Sequence, residues 1–265
     1  MDLNDPLDLG MACLRPGFPF PIDEDLWFIQ ADFFLGNKLN FHNNALIIKH
    51  EDTFIVVNMP HISKAAFGAI KKLADYEKAE VKYLLAPSDF NNKYVREWQK
   101  GFPGAVVCMV SSFALNRAKV LIKDSVTVLG MDQPEIKEAK ESIQIYPILG
   151  ITPKSEIAVY HKSSGTLFIA DHLYPASNGG EELKPTVASF YIEPSISQIS
   201  DKEPCNEIFN VTSDEQARDS FTNILKINCI KRLVFAHKSP AEGCIYMRDD
   251  IKEKLDGAYK MYVEF

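Results

Sequence analysis

Short runs of β-branched and apolar residues alternate with amphipathic helical stretches along this 265-residue chain, and their order constrains the fold more than any single motif. Runs at 45–49 and 53–57 predict a β-hairpin, after which a helix capped by Ser63 leads to a further strand at 81–86. A similar order of strands and helices returns in the second half, where Ser213 opens a helix. Two sheets packed face to face with helices outside accommodate this order, so the expected fold is an α/β, four-layer αββα sandwich.

The whole chain, 1–265, is interpreted as a single domain. Two of its segments do not show the alternation of predicted strands and helices. Residues 1–24 are rich in proline and glycine, which predicts an irregular lead-in. Residues 174–211 contain the pair Gly179-Gly180 and several prolines, which predicts a long loop. Because loops of that length are uncommon in compact domains unless they serve a function, this segment is interpreted as an insertion or a lid.

Composition and charge exclude several classes of partner. The formal net charge of -7 opposes binding to nucleic-acid phosphates. No apolar run approaches the roughly 20 residues that span a bilayer, and the first residues do not resemble a secretory signal, so no membrane partner is predicted. The five cysteines form no Cys-x-x-Cys pair, which favours a reducing, cytoplasmic location. Cys108 and Cys229 lie in apolar runs and are predicted to be core thiols.

The residues that follow the predicted strands carry the functional information. Asn58 follows the hairpin, and Pro87-Ser88-Asp89-Phe90-Asn91-Asn92 follows the strand at 81–86. In the second half, Gly150-Ile151-Thr152-Pro153-Lys154-Ser155 forms a predicted turn, Asp171 ends the strand that begins at Gly165, and His237 ends the strand at 231–236. In this order, the five landmarks resemble those of the metallo-β-lactamase superfamily over about residues 43–237.

The resemblance implies a metal site at these strand ends, and the chain departs from the pattern at the ligands themselves. The superfamily places a His-x-His-x-Asp-His motif where Pro87, Asp89, Asn91 and Asn92 now stand at the four ligand positions. Ile151 replaces a further histidine, Asn58 replaces an aspartate, and Asp171 and His237 are retained. Because proline and isoleucine cannot ligate a metal and neutral amides are poor zinc ligands, the chain is interpreted as a degenerate, metal-poor member.

Asp171 and His237 are therefore the candidate catalytic residues. A catalytic zinc site usually has three protein ligands, so one interpretation adds Asp89 and places a single zinc or iron ion among the three. The favoured interpretation predicts no cofactor and treats Asp171 and His237 as a hydrogen-bonded pair in a remodelled cleft. The other predicted cleft-lining residues are Asn58, His61, Asn91, Asn92 and Ile151.

The favoured function is the binding of a small molecule or a protein partner in this cleft, because metal-dependent hydrolysis needs a Lewis acid to activate water. Two alternatives remain open. The first is an enzyme, either a hydrolase with a rebuilt single-metal site or a metal-free enzyme of biosynthetic or lyase type that uses Asp171 or His237 as general acid or base. The second is a protein-interaction module whose contact surface is the insertion at 174–211.

Overall fold

Two β-sheets packed face to face form the centre of the molecule, and helices cover both outer faces. The computed structural model describes residues 14–35, 39–89, 93–111, 126–129, 131, 134–152, 155–175, 183–185, 210–237 and 244–263. The first sheet contains seven strands in chain order: β1 (Phe20–Asp23), β2 (Leu26–Leu35), β3 (Leu39–His50), β4 (Thr53–Val57), β5 (Glu80–Ala86), β6 (Val106–Met109) and β7 (Val126–Val128). Neighbouring strands are antiparallel from β1 to β4 and parallel from β4 to β7.

The second sheet has five strands in the order β16-β15-β11-β10-β8. The strands of the second half are β8 (Ile143–Ile148), β9 (Ile151–Thr152), β10 (Glu156–His161), β11 (Thr166–Ile169), β12 (Leu173–Pro175), β13 (Leu183–Pro185), β14 (Asn210–Val211), β15 (Arg232–Phe235) and β16 (Ile245–Tyr246). Strands β11 and β15 are parallel, and two small additional sheets pair β12 with β13 and β9 with β14.

Four helices of the described ranges cover the outer faces of the two sheets. Helices α1 (Lys64–Glu77) and α2 (Val95–Gly101) pack on the first sheet, whereas α3 (Asp214–Leu225) and α4 (Ile251–Val263) pack on the second. None of the helices in the described ranges is long and apolar enough to cross a membrane.

Strict alternation of buried side chains explains why the strands stack in this way. Along β3, Leu46 and Ile48 face the second sheet, while Ala45 and Ile47 face the layer of α1 and α2. The second sheet divides its residues in the same manner between the central layer and the layer of α3 and α4. Three apolar layers thus separate four layers of secondary structure, which confirms the predicted αββα sandwich.

The local signals that predicted helix starts are confirmed. The Ser63 hydroxyl accepts a hydrogen bond from the amide of Ala66, and the Ser213 hydroxyl accepts one from the amide of Gln216. Helix α2 begins at Val95, and Tyr94 at its start makes no side-chain cap. The charged stretch at 135–140 forms a short 3₁₀ turn at Lys137–Ala139.

The two segments predicted to be irregular contain strands. The lead-in at 1–24 includes β1, where Pro21 is tolerated because β1 lies at the edge of the sheet and its pairing with β2 shifts register between Pro21 and Asp23. The described parts of 174–211 include the end of β12, all of β13 and β14, so short strands anchor this insertion at both ends. Strand β13 packs against α4. The role of the insertion as a lid or a contact surface stays a prediction.

The two cysteines predicted to be core thiols differ in environment. Cys108 is buried between the sheets, as predicted. The prediction for Cys229 is wrong: this thiol is exposed, because in the turn between α3 and β15 the side chains of Ile227 and Ile230 turn inward and Cys229 turns outward.

We expect iodoacetamide at pH 8 to alkylate Cys229 in the native protein and to leave Cys108 unmodified. Burial raises the pKa of the Cys108 thiol to about 12, with a smaller effect of Glu138, and only the thiolate reacts. Peptide mapping by mass spectrometry measures each site separately. Denatured protein is the control, in which both thiols should react, and equal rates in the native protein would contradict the described burial.

Candidate functional site

The candidate site lies where the carboxyl ends of the parallel strands of both sheets come together. Asn58 follows β4, Ser88 and Asp89 follow β5, Asp171 follows β11, and His237 follows β15. Loops follow the strands at this end of the sheets, and loops commonly carry the polar side chains of a functional site. Two isolated bridges hold the sheets together at this point, Asn43 with His237 and Ser88 with Glu156.

Asp171 and His237 are in direct contact, as the favoured interpretation of the sequence requires. Asp171 Oδ1 lies 3.0 Å from His237 Nε2, and the Ser88 hydroxyl donates a hydrogen bond to Asp171 Oδ2. The side chains of Asp171 and His237 are 6% and 14% exposed, so the pair is largely shielded from water but reaches the surface. Both oxygens of the Asp171 carboxylate therefore already have protein partners.

Both ring nitrogens of His237 also face hydrogen-bond acceptors. Nδ1 lies 3.2 Å from the carbonyl oxygen of His42, and Nε2 faces Asp171. A ring nitrogen donates to either acceptor only when it carries a proton, and each of the two contacts occupies one nitrogen of the ring. In this arrangement each ring nitrogen faces an oxygen atom of the protein.

Asp89 is buried beside the pair but is engaged by a different set of donors. The Ser111 hydroxyl donates to Asp89 Oδ1, and the amide of Ser155 donates to Asp89 Oδ2 over 2.9 Å. The Asp89 amide donates in turn to the carbonyl oxygen of Ser155 over 3.1 Å. Asp89 thus fastens the end of β5 to the segment that precedes β10.

A buried carboxylate that sequence reasoning overlooked holds the backbone beneath Asp171. Glu156 Oε1 accepts hydrogen bonds from the amides of Asp171 and His172, over 2.9 and 3.2 Å, and lies 2.5 Å from His172 Nδ1. Glu156 is 2% exposed, and its Oε2 is buried without a hydrogen bond in the described structure. One sequence feature could have identified Glu156, namely its charge among the apolar residues of β10. A buried carboxylate needs a hydrogen-bonding partner, so its presence there indicates a buried polar contact.

His172 points away from Asp171 toward the outer helices, as alternation along an extended chain predicts. Its ring is fully buried and lies near the stacked rings of Phe221 and Tyr259, whose centroids are 4.0 Å apart. The pair formed by Glu156 and His172 therefore connects the site to α3 and α4.

Asn58 occupies the position where the superfamily pattern has aspartate, and it acts here as a cross-link. Its amide nitrogen donates to Asn43 Oδ1 and to the carbonyl oxygen of Asn44, each over 2.7 Å. Its backbone has a positive φ of 67°, a conformation that asparagine tolerates better than most residues. The Asn44 side chain donates to the carbonyl oxygen of Phe235, so this asparagine group joins the first sheet to the end of β15.

Two of the other residues predicted to line the cleft, His61 and Ile151, are described by the structure. His61 is exposed and pairs with Glu97 at 2.9 Å on the side of α2. Ile151 is buried in the apolar layer between the second sheet and helices α3 and α4, because an aliphatic side chain gains more from that layer than from a polar cleft. Asn91 and Asn92 lie outside the described residues.

Known structures resemble this architecture, whereas no protein-family model and no curated protein matches the sequence. The mono-zinc form of the metallo-β-lactamase FIM-1 from Pseudomonas aeruginosa aligns with a TM-score of 0.62 and 11% identity, covering 94% of this chain and 97% of that one. The metallo-β-lactamase from Hirschia baltica aligns with a TM-score of 0.59 and 14% identity, covering 94% and 98%. The DIM-1 metallo-β-lactamase gives 0.61 and 12%, covering 92% and 96%.

This chain has the metallo-β-lactamase fold. The zinc or iron ion that this fold implies does not fit the site residues that the structure describes. Within the described ranges, no group of three or more His, Cys, Asp or Glu side chains is arranged to hold a metal ion. Asp171 and His237 are two donors where three are usual, and Asp89 directs its oxygens to Ser111 and Ser155 instead of joining them. Among the described residues, Asp89, Asp171 and His237 are thus engaged by hydrogen bonds within the protein.

Proposed function

We propose that this chain acts by binding a small molecule or a partner segment in the remodelled cleft at Asp171 and His237, rather than by metal-dependent hydrolysis. The contact of Asp171 with Ser88 and His237, together with the contact of His237 with the His42 carbonyl, is the observation that carries the proposal. Metal binding through Asp171 and His237 Nε2 would have to break the contact between these two side chains, and a buried donor or acceptor that loses its partner costs about 1–3 kcal/mol.

The chemistry of the replaced positions also supports binding over hydrolysis. Hydrolysis in this fold would need a metal ion to bring the pKa of a bound water to about 7. The first histidine position of the motif is Pro87, and a further one is Ile151, which have no donor atom in their side chains. A polar ligand could exchange the hydrogen bonds among Ser88, Asp171 and His237 for hydrogen bonds to itself, and this exchange needs no metal ion.

We expect protein purified without an affinity tag to contain far less than one zinc, iron or manganese ion per chain, even after incubation with each metal. Elemental mass spectrometry measures the content. The double variant Asp171→Asn/His237→Gln is the matched comparison, because both substitutions keep side-chain size but weaken metal ligation, and its residual metal should equal that of the unaltered protein. Near-stoichiometric metal that disappears in the double variant would refute the proposal.

Ligand binding in the cleft is tested by thermal unfolding with a library of polar small molecules. A ligand at 100 times its Kd stabilises the folded state by about 2.7 kcal/mol, which corresponds to roughly 5 °C for a chain of this size. A ligand of this cleft should lose that effect in Asp171→Asn/His237→Gln. A shift that survives both substitutions would assign the ligand to another surface.

A metal-free enzyme is the second candidate, and the orientation of His237 favours it over a rebuilt metallohydrolase. A carboxylate and a carbonyl hold the ring in place at a partly exposed position, which is how a general acid is positioned.

Alanine at both Asp171 and His237 should abolish a cellular phenotype that depends on catalysis. A phenotype that survives this change but is lost on deletion of the 174–211 insertion would favour the interaction module.

A further inference from the structure

A second surface, remote from the cleft, has the features of a peptide-binding groove. A groove of about 800 Å³ runs along β8, the edge strand of the second sheet, and consecutive residues from Ile143 to Pro147 line it. Lys162 and Cys229, which also line it, precede β11 and β15, whereas Asp171 and His237 follow those strands. The groove therefore extends toward the end of the sheet opposite the cleft.

Among the described strands none pairs with the outer edge of β8, so this edge presents backbone groups for pairing. The amide of Lys162 in the turn after β10 donates to the carbonyl oxygen of Ser142, while the amide of Leu149 donates outward to the Ser220 hydroxyl. Since peptide groups alternate in direction along a strand, residues 144, 146 and 148 point to β10, and Ile143, Ile145 and Pro147 point outward. Pro147, which has no amide hydrogen, falls on the outward side, where an edge strand tolerates proline.

Two walls enclose this edge and would shield a bound strand. One wall is the end of α3 and the turn after it, with Asn223, Lys226 and Ile227. The other wall is formed by Pro134, Ile136 and Lys140. The rings of Tyr146 and Tyr160 also line the groove, and burial raises the pKa of Tyr146 to about 12, so its phenol stays neutral.

The charge of the groove is opposite to that of the whole chain. Three lysines line it, Lys140, Lys162 and Lys226, against a single carboxylate, Glu135. The ammonium of Lys162 donates to the carbonyl oxygen of Lys140 over 2.6 Å, and that of Lys226 donates to Asn223 Oδ1 over 3.4 Å. Both acceptors are neutral, so neither contact cancels the positive charge, although the chain carries a formal net charge of -7.

We propose that the groove binds an extended, acidic peptide segment of a partner protein, which adds as a further strand to the outer edge of β8. Strand addition uses backbone hydrogen bonds for affinity and side-chain pockets for selectivity, and an edge strand between two walls supplies both. The three lysines select acidic side chains on the added strand. This surface is separate from the cleft, and the inference does not depend on the function proposed there.

The test uses a fluorescein-labelled decapeptide of alternating glutamate and valine, with fluorescence anisotropy as the readout. We expect saturable binding that weakens with salt, and no binding of the matching lysine–valine peptide. Lys140→Glu/Lys226→Glu should weaken binding about tenfold, as expected for two reversed charges at the rim of a site. Lys72→Glu, an exposed position on α1 at the opposite outer face, is the matched control and should leave binding unchanged.

Two N-methylated versions of the acidic peptide test strand addition itself. One carries methyl groups on the odd-numbered amides and the other on the even-numbered amides, so each removes the donors of one peptide edge. Strand addition predicts that only one version loses binding, because an added strand pairs through one edge. If both bind as well as the parent peptide, the groove recognises negative charge alone and the proposal is overturned, as it is if the parent peptide does not bind.

Discussion

Replacement of Glu156 with alanine is expected to lower the free energy of unfolding by about 3 kcal/mol or more, because each buried hydrogen-bonding group that loses its partner costs about 1–3 kcal/mol. Oε1 of Glu156 serves two backbone amides and the ring of His172, and all of them are buried. Without the carboxylate these donors have no acceptor and no access to water. The same change should displace the backbone that carries Asp171, since Glu156 holds the amide of that residue.

Urea denaturation of the variants measures this loss. Glu156→Gln is the informative intermediate, because its amide oxygen still accepts hydrogen bonds from the two backbone amides but carries no charge opposite His172, so we expect a smaller loss than for alanine. Glu253→Gln, an exposed change in the first turn of α4, should stay within about 0.5 kcal/mol of the unaltered protein. Equal stability of Glu156→Ala and Glu253→Gln would show that the buried pair contributes nothing.

Replacement of Gly150 with alanine is expected to cost about 3 kcal/mol or more, because the change adds both backbone strain and a steric clash. Gly150 has a φ of +75°, in the region that side chains disfavour. An added Cβ would lie 2.3 Å from the carbonyl oxygen of Ser213 and 2.7 Å from the amide nitrogen of Ala217. Those atoms belong to the first turn of α3, so the whole start of that helix would have to move.

Gly68 provides the matched control for this prediction. It lies within α1, and an alanine Cβ there would meet nothing within 4 Å. Gly68→Ala should therefore stabilise the protein by about 0.5–1 kcal/mol through helix propensity and reduced backbone freedom. Differential scanning calorimetry of both variants gives the comparison, and a Gly150→Ala protein as stable as the unaltered one would contradict the described turn.

The local parts of the structure could be predicted from the sequence. Helix α1 begins after Ser63 and α3 after Ser213, because a cap depends on residues three positions apart. The hairpin of β3 and β4 followed from two short apolar runs and the turn between them. The lead-in strand β1 was not predicted, because a proline-containing segment becomes a strand only where a sheet edge is available to it.

The sequence by itself determined which residue types stand at the ends of the strands, and therefore that the metal ligands expected of this fold are largely replaced. It also singled out Asp171 and His237, which the structure brings into contact. Only the tertiary structure decided how the vacated positions are used. Ser88 meets Asp171 across 83 positions of the chain, and Ile151 turns into the apolar layer. The pairing of Glu156 with His172 and the place of β8 at the end of its sheet were decided in the same way. Such contacts join distant segments, so they depend on how the sheets pack and leave no periodic signal in the sequence.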